Sequence, residues 1–456
     1  MSEIETLLWV WPLAVGFLAW LLYRLRGNSV GIPLAYLLGL ALIHVPGAVI
    51  YVDPSYDFND PSFVETGFQI TTLGVVGFVV GVLIGGMRVG PLRRRGDVAA
   101  AGLSMTHATA SEINHLAWLF LAAGFGVQYV IGPALKDLPL TALVSGLGQL
   151  TVAGACLGLY AGRVSGDRAM LLKWLVVACM FPFSTLVSSA FLGFGVFSLL
   201  VVVSFAVSLF RPRWWAVIPF FVALYVGMSI FVTYARDRDE YRAATWIAGG
   251  ASLDDRVSRV FKMFTEFEMI DFGNPQHRRK IDDRLNQNVL VGAAEAHIAS
   301  GRADFARGET LWTALVAPIP RIIWPNKPIF GGSGNLVADY TGIVFDDTTS
   351  VGIGQPLEFF INAGWKGVFL CFVLFGAICR RFDMYAGQAL QSGDFRRFML
   401  FFLPAIGLLQ AGGAFAEVVA TSVASFFAAV IAVTLAERYL RRIRTRARLS
   451  MPDLKG

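Results

Sequence analysis

The chain is a succession of apolar stretches, each about long enough to cross a bilayer, and this repeat decides what it can fold into. A hydrocarbon core about 30 Å thick needs roughly 20 apolar residues per helix, and a backbone inside it must satisfy its own hydrogen bonds. Eleven stretches qualify: residues 6–23, 30–50, 66–87, 113–133, 139–161, 170–187, 192–210, 214–234, 363–379, 398–415 and 417–436. Charged residues make up only 15% of the chain, against about 25% in soluble domains. The expected fold is therefore an all-α polytopic membrane protein. It divides into an N-terminal bundle of eight spans (1–234), a large polar block (235–362), three C-terminal spans (363–436) and a basic tail (437–456).

Charge placement orients these spans. Arg24 and Arg26, Arg93 to Arg95, Arg163 and Arg168, Arg211 and Arg213, Arg380 and Arg381, Arg396 and Arg397, and the tail arginines from Arg441 onward fall in alternate connections. The connection after the second span is acidic instead, with Asp53, Asp57, Asp60 and Glu65. Lys and Arg collect on the cytoplasmic side of membrane proteins, so the N-terminus and the polar block are expected outside and the C-terminus inside. The net charge of +6 is thus a topology signal, and no nucleic-acid partner is expected. Cys156, Cys179, Cys371 and Cys379 all lie in or at the ends of spans, which leaves the outside block without a disulfide or thiolate site. This orientation suits a bacterial inner membrane. Glu112 and His115 have the spacing of a di-iron Glu-x-x-His pair, but the second copy such a site requires is missing, so no metal or other cofactor is expected. The chain has no P-loop, dinucleotide fingerprint or nucleophile elbow, which argues against ATP-driven transport and familiar intramembrane hydrolases.

The block of about 125 residues between spans eight and nine is where chemistry is expected. Residues 236–242 (RDRDEYR) continue span eight past the membrane edge, residues 252–271 and 289–301 have helical periodicity, and Pro318 to Pro356 reads as an irregular loop across the mouth of the bundle. The block is rich in arginine, whose planar fork suits bidentate phosphate binding. Arg236 and Arg238 leave the membrane helix directly. Arg321 and Lys327 sit in PIPRIIWPNKP (318–328), where prolines fix the backbone and hold the two cations in a defined relation. Glu358, in QPLEFFINAGW just before span nine, is a carboxylate among aromatic residues and a candidate general base or orienting group. Tyr340 and Gln355 are candidates for hydrogen bonds to sugars.

These features resemble the O-antigen polymerase (Wzy-type) family of oligosaccharide repeat unit polymerases, relatives of the O-antigen ligases. The resemblance is carried by YARDRDEYR (234–242), GETLWTALVAPIPRIIWPNKP (308–328) and the re-entry GQPLEFFINAGWKG (354–367). The remaining spans match in number and hydropathy. One large outside loop replaces the two of better-known members, which puts a two-loop scheme in doubt. The resemblance implies a membrane-embedded, metal-independent glycosyltransferase of the C type. It would transfer a glycan from undecaprenyl pyrophosphate to the terminal sugar of another lipid-linked unit, with membrane lipid, a chain-length regulator and a flippase as partners. On that reading Arg236, Arg321 and Lys327 meet the pyrophosphate, Arg238, Tyr340 and Gln355 bind substrate, and Glu358 is the base or orients the acceptor. Two other readings stand beside it: a carrier or flippase of lipid-linked sugars, and a ligase-like transferase to a foreign acceptor.

Overall fold

The computed structural model describes residues 3–24, 28–87, 109–135, 141–210, 217–246, 252–320, 323–328, 332–345 and 351–449. Every regular element among them is helical, and ten helices are long and apolar enough to cross a membrane. Eight precede the polar block: α1 (Glu3–Leu22), α2 (Ile32–Ile50), α3 (Pro61–Gly86), α4 (Ala110–Ala134), α5 (Ala142–Ser165), α6 (Arg168–Ser189), α7 (Leu192–Phe210) and α8 (Val217–Trp246). The block folds into α9 (Leu253–Thr265), α10 (Pro275–Leu285), α11 (Asn288–Ala299), α12 (Glu309–Val316) and α13 (Ser333–Thr341). The chain then enters α14 (Gly354–Ser392), α15 (Phe395–Gly407) and α16 (Phe415–Leu449).

Three expectations change. The span expected over 398–415 is a helix of only 13 residues, α15, followed by irregular backbone from Leu408 to Ala414. The Gly412–Gly413 pair disfavours helix there, and the freed backbone groups are taken up by α14. Gly354 N donates to Gly412 O at 3.1 Å, and the Gln355 amide donates to Gln410 O at 2.9 Å and Gly413 O at 2.8 Å. The chain thus returns to the starting end of α14 before α16 begins. Second, α14 starts at Gly354 instead of 363, with a break at Ala363–Gly364. Third, α13 lies within the stretch read as irregular.

The α3–α14 contact is the tightest long packing in the bundle. Gly77, Gly81 and Gly85 of α3 lie against the backbone of α14: a Cβ at each would fall 2.6, 2.0 and 2.7 Å from the carbonyl oxygens of Phe369, Val373 and Ala377. Small residues let helix backbones approach where lipid supplies no hydrophobic drive between helices. At the end of α14 away from the polar block, Asp383 accepts from Ser29 Oγ (3.0 Å), Val30 N (2.9 Å) and Ile32 N (3.1 Å) and pairs with Arg380, tying the α1–α2 turn to α14.

The polar block is not wholly outside the bundle. Pro46 lies inside α2 and, having no N–H, leaves the Leu42 carbonyl without its helical donor; the next two carbonyls of the same turn are met by the block. Gln287 N donates to Ile43 O at 3.0 Å and the Asn288 amide to His44 O at 2.8 Å. These contacts lie about 10 Å inside the Ile50 end of α2, from seven residues at 1.5 Å each. Helix α11 is seated there by glycines: a Cβ on Gly67 of α3 would meet Asn288 O at 2.0 Å, and one on Gly292 would meet Phe63 O at 1.9 Å. Gly292→Val should therefore unseat α11, at a cost of about 1–3 kcal/mol for overpacking, and lower the melting temperature in detergent. Gly16→Ala, whose Cβ meets nothing within 4 Å, should leave it unchanged.

Candidate functional site

The break in α14 organises the end of the bundle that carries the polar block. Gly364 has φ 62° and ψ −156°, a region open in practice only to glycine. Above it, every residue from Gly354 to Asn362 is buried. Asn362 stitches the break to the block. Its Oδ1 accepts from Gly308 N at 2.9 Å, and its Nδ2 donates to Thr310 Oγ1 and to Glu358 O, both at 2.7 Å. Ala306 N donates to Ile361 O at 2.8 Å. The segment 306–310 is therefore fixed on α14 at the entrance to α12.

Glu358 lies at the centre of this junction with its side chain fully buried. One carboxyl oxygen, Oε2, accepts from Phe415 N at 2.6 Å, so a residue of α14 caps the first turn of α16, where a carboxylate is favoured by the helix dipole. The other oxygen, Oε1, has no hydrogen-bond partner among the described residues. Buried polar atoms are almost always paired, which makes this oxygen the informative one. Thr310 approaches the same carboxyl. Because its oxygen already accepts from Asn362, its proton is left to donate.

Thr310 also lines a cleft of about 840 Å³ between the 302–313 segment and α13. Arg302, Asp304, Arg307, Glu309, Asp339 and Tyr340 line the same cleft. None of these five charged side chains forms an ion pair among the described residues. Arg307 takes φ 48°, a left-handed conformation uncommon for a non-glycine residue, just ahead of the Gly308 bond to Asn362. Burial raises the Tyr340 phenol above its ordinary value, and the charges of Glu309 and Asp339 add to the shift. Tyr340 is thus the sequence candidate that opens on the cleft, with Glu358 one residue behind its wall.

The other candidates are placed elsewhere. Gln355 is buried, accepts from the Tyr36 hydroxyl at 3.0 Å and donates to two carbonyls, so its amide joins α2, α14 and the 408–414 segment. Arg236 forms a fork with Asp237, two bonds of 2.8 Å, and reaches Glu266 O at 3.0 Å and the Glu268 carboxylate. All three of its nitrogens are engaged, which leaves no fork for a phosphate, and it anchors 266–268 to α8. Arg238, also mostly buried, pairs with Asp239 at 2.5 Å. Lys327 donates to Ala317 O and Ile319 O, both at 2.7 Å, and closes its own proline turn. Arg321 lies outside the described residues. Sequence reasoning missed Arg302, Arg307, Thr310 and Asn362; the Arg307–Gly308 pair and the Asn-Ala-Gly of 362–364 are the signals that could have found them.

Two outcomes follow. Gly364→Ala should cost about 1–3 kcal/mol through the backbone conformation, read as a lowered melting temperature, and should loosen the 306–310 segment in hydrogen exchange. Arg236 holds the Glu268 carboxyl below the usual glutamate range, with His277 assisting. His277 Nδ1 accepts from Asp271 N at 3.1 Å, so Nε2 carries the proton toward Glu268, 3.2 Å away. A depressed pKa contributes stability above the ordinary glutamate value of about 4.3, lost as pH falls through the folded value. Glu268→Gln should therefore be less stable than the parent at pH 7, and the gap in melting temperature should close on acidification.

No protein-family model matches the chain, and no curated protein or solved structure matches it.

Proposed function

We propose that the protein is a metal-independent glycosyltransferase that polymerises lipid-linked oligosaccharide repeat units at the outer face of a bacterial inner membrane. The observation that carries this reading is the Glu358 carboxyl oxygen left unpaired behind an outward cleft. Transfer from a pyrophosphate donor needs little covalent help, because the leaving group is already good. It needs orientation of two substrates, cations where charge develops and a group to take the acceptor's proton. In this scheme the acceptor hydroxyl attacks the anomeric carbon of the donor glycan. The carbon–oxygen bond to pyrophosphate breaks with its electron pair leaving on undecaprenyl pyrophosphate. The acceptor's proton passes by way of the Thr310 hydroxyl to Glu358 Oε1.

Arg321 is the cation assigned to the pyrophosphate. Lys327 acts through it, by tying the Ala317 and Ile319 carbonyls that precede it. Arg236 has no part, since carboxylates hold it. The periplasmic N-terminus, the cytoplasmic C-terminus, and a flippase and chain-length regulator as partners belong to the same proposal.

Purified protein supplied with a single lipid-linked repeat unit should build a ladder of products. Glu358→Gln retains an oxygen to accept from Phe415 N, so its size-exclusion profile should match the parent while ladder formation falls about 10²–10⁴-fold, the range for loss of acid–base catalysis. A Glu358→Gln ladder at the parent rate rules out this role for the carboxylate. Product formation only with a foreign acceptor would make the enzyme a ligase.

A further inference from the structure

The cleft has a chemical character that the transferase reading does not specify. Its charged lining is mixed, three carboxylates (Asp304, Glu309, Asp339) against two guanidinium groups (Arg302, Arg307). A pyrophosphate carries several negative charges, and three unneutralised carboxylates in the same cleft oppose it. The same groups suit a ligand that is itself uncharged and rich in hydroxyls. Carboxylates only accept, guanidinium groups only donate, and threonine or tyrosine hydroxyls do both, so the lining offers both halves of every hydroxyl's hydrogen bonds. Since none of the charged side chains forms an ion pair among the described residues, that capacity is not consumed internally.

Size and shape agree. A volume near 840 Å³ lies within the range of about 300–1,000 Å³ for small-molecule sites, room for several linked sugar rings. Tyr340 and Phe305 add aromatic surface, and Phe305 packs on Phe360 of α14 with ring centroids 6.2 Å apart. The floor is rigid, because Asn362 and Ile361 hold segment 306–310 through three hydrogen bonds. Glu358 Oε1 stands unpaired and fully buried behind Thr310.

We infer that the cleft is a glycan subsite that recognises the neutral or amino-sugar chain of a substrate, while the pyrophosphate lies outside it. The inference rests on the transferase reading for the source of the glycan; the binding itself does not depend on catalysis.

The test uses full-length protein in detergent. The probes are a panel of immobilised lipid-free and phosphate-free oligosaccharides spanning neutral, amino and acidic sugars, with inorganic pyrophosphate as competitor. Neutral or amino glycans should be retained, pyrophosphate should fail to displace them, and Asp339→Asn and Tyr340→Phe should each weaken retention about tenfold without altering the size-exclusion profile. A site built to hydrogen-bond hydroxyls discriminates strongly when one partner is removed. Failure to retain any glycan overturns the inference. So does displacement by pyrophosphate, or pyrophosphate binding that tightens in Asp339→Asn. Glycan retention by protein that builds no ladder would keep the subsite and sink the polymerase.

Discussion

The contact of α3 with α14, glycine against carbonyl along several turns, is the constraint on which the rest of the architecture depends. Two helices that meet backbone to backbone cannot slide or rotate past one another without collision. The position of α14 is therefore set along its membrane-spanning part, and its outer segment is placed as a consequence. The clasp of Asp383 on the α1–α2 turn fixes the same helix at the opposite end. With both held, the break at Ala363–Gly364 can redirect the Gly354–Asn362 segment without disturbing the bundle.

That redirected segment gathers three pieces of interrupted backbone. The 408–414 connection and the 306–310 stretch meet it through hydrogen bonds to their main-chain groups, and the Gln287 amide at the entry to α11 reaches Gly352 O just ahead of it. Irregular backbone near a membrane is tolerated where protein supplies the missing partners, and here the partners are side-chain amides: Gln355, Asn362 and Asn288. Gln355 spends both of its donors in this way. Glu358 is the contrast, because only one of its oxygens is used in capping and the other, beside Thr310, has no hydrogen-bond partner among the described residues.

Much of the membrane architecture was legible from hydropathy, since span length and apolar content follow directly from bilayer thickness. The break in 398–415 was harder to see, because Pro404 and the two glycines at 412 and 413 are common enough in membrane helices to be read through. The α3 glycine stripe from Gly74 to Gly85 was visible in the sequence and went unused; it marks a packing face by the spacing of small residues. Within the site, Glu358 was readable as a carboxylate at the edge of a span and Tyr340 as a hydrogen-bonding group in the loop before it. Arg236 was misjudged as free: Asp237 beside it was readable as a partner, but Glu266 and Glu268, which engage its remaining nitrogen and hold it in place, lie thirty residues on, beyond any local pattern. Asn362 was marked only by the Asn-Ala-Gly of 362–364, and its partners could not be read there, since its role arises when segment 306–310 folds back on it.

The seat of α11 on α2 has a consequence for how the chain is assembled. The Ile43 and His44 carbonyls accept from Gln287 and Asn288, more than 240 residues later in the sequence. A nascent α2 is therefore without these partners until synthesis has passed α8 and reached α11. The turn ahead of Pro46 is thus among the last parts of the early bundle to gain its final contacts, and the polar block acts as the closing piece of a structure begun by the first helices.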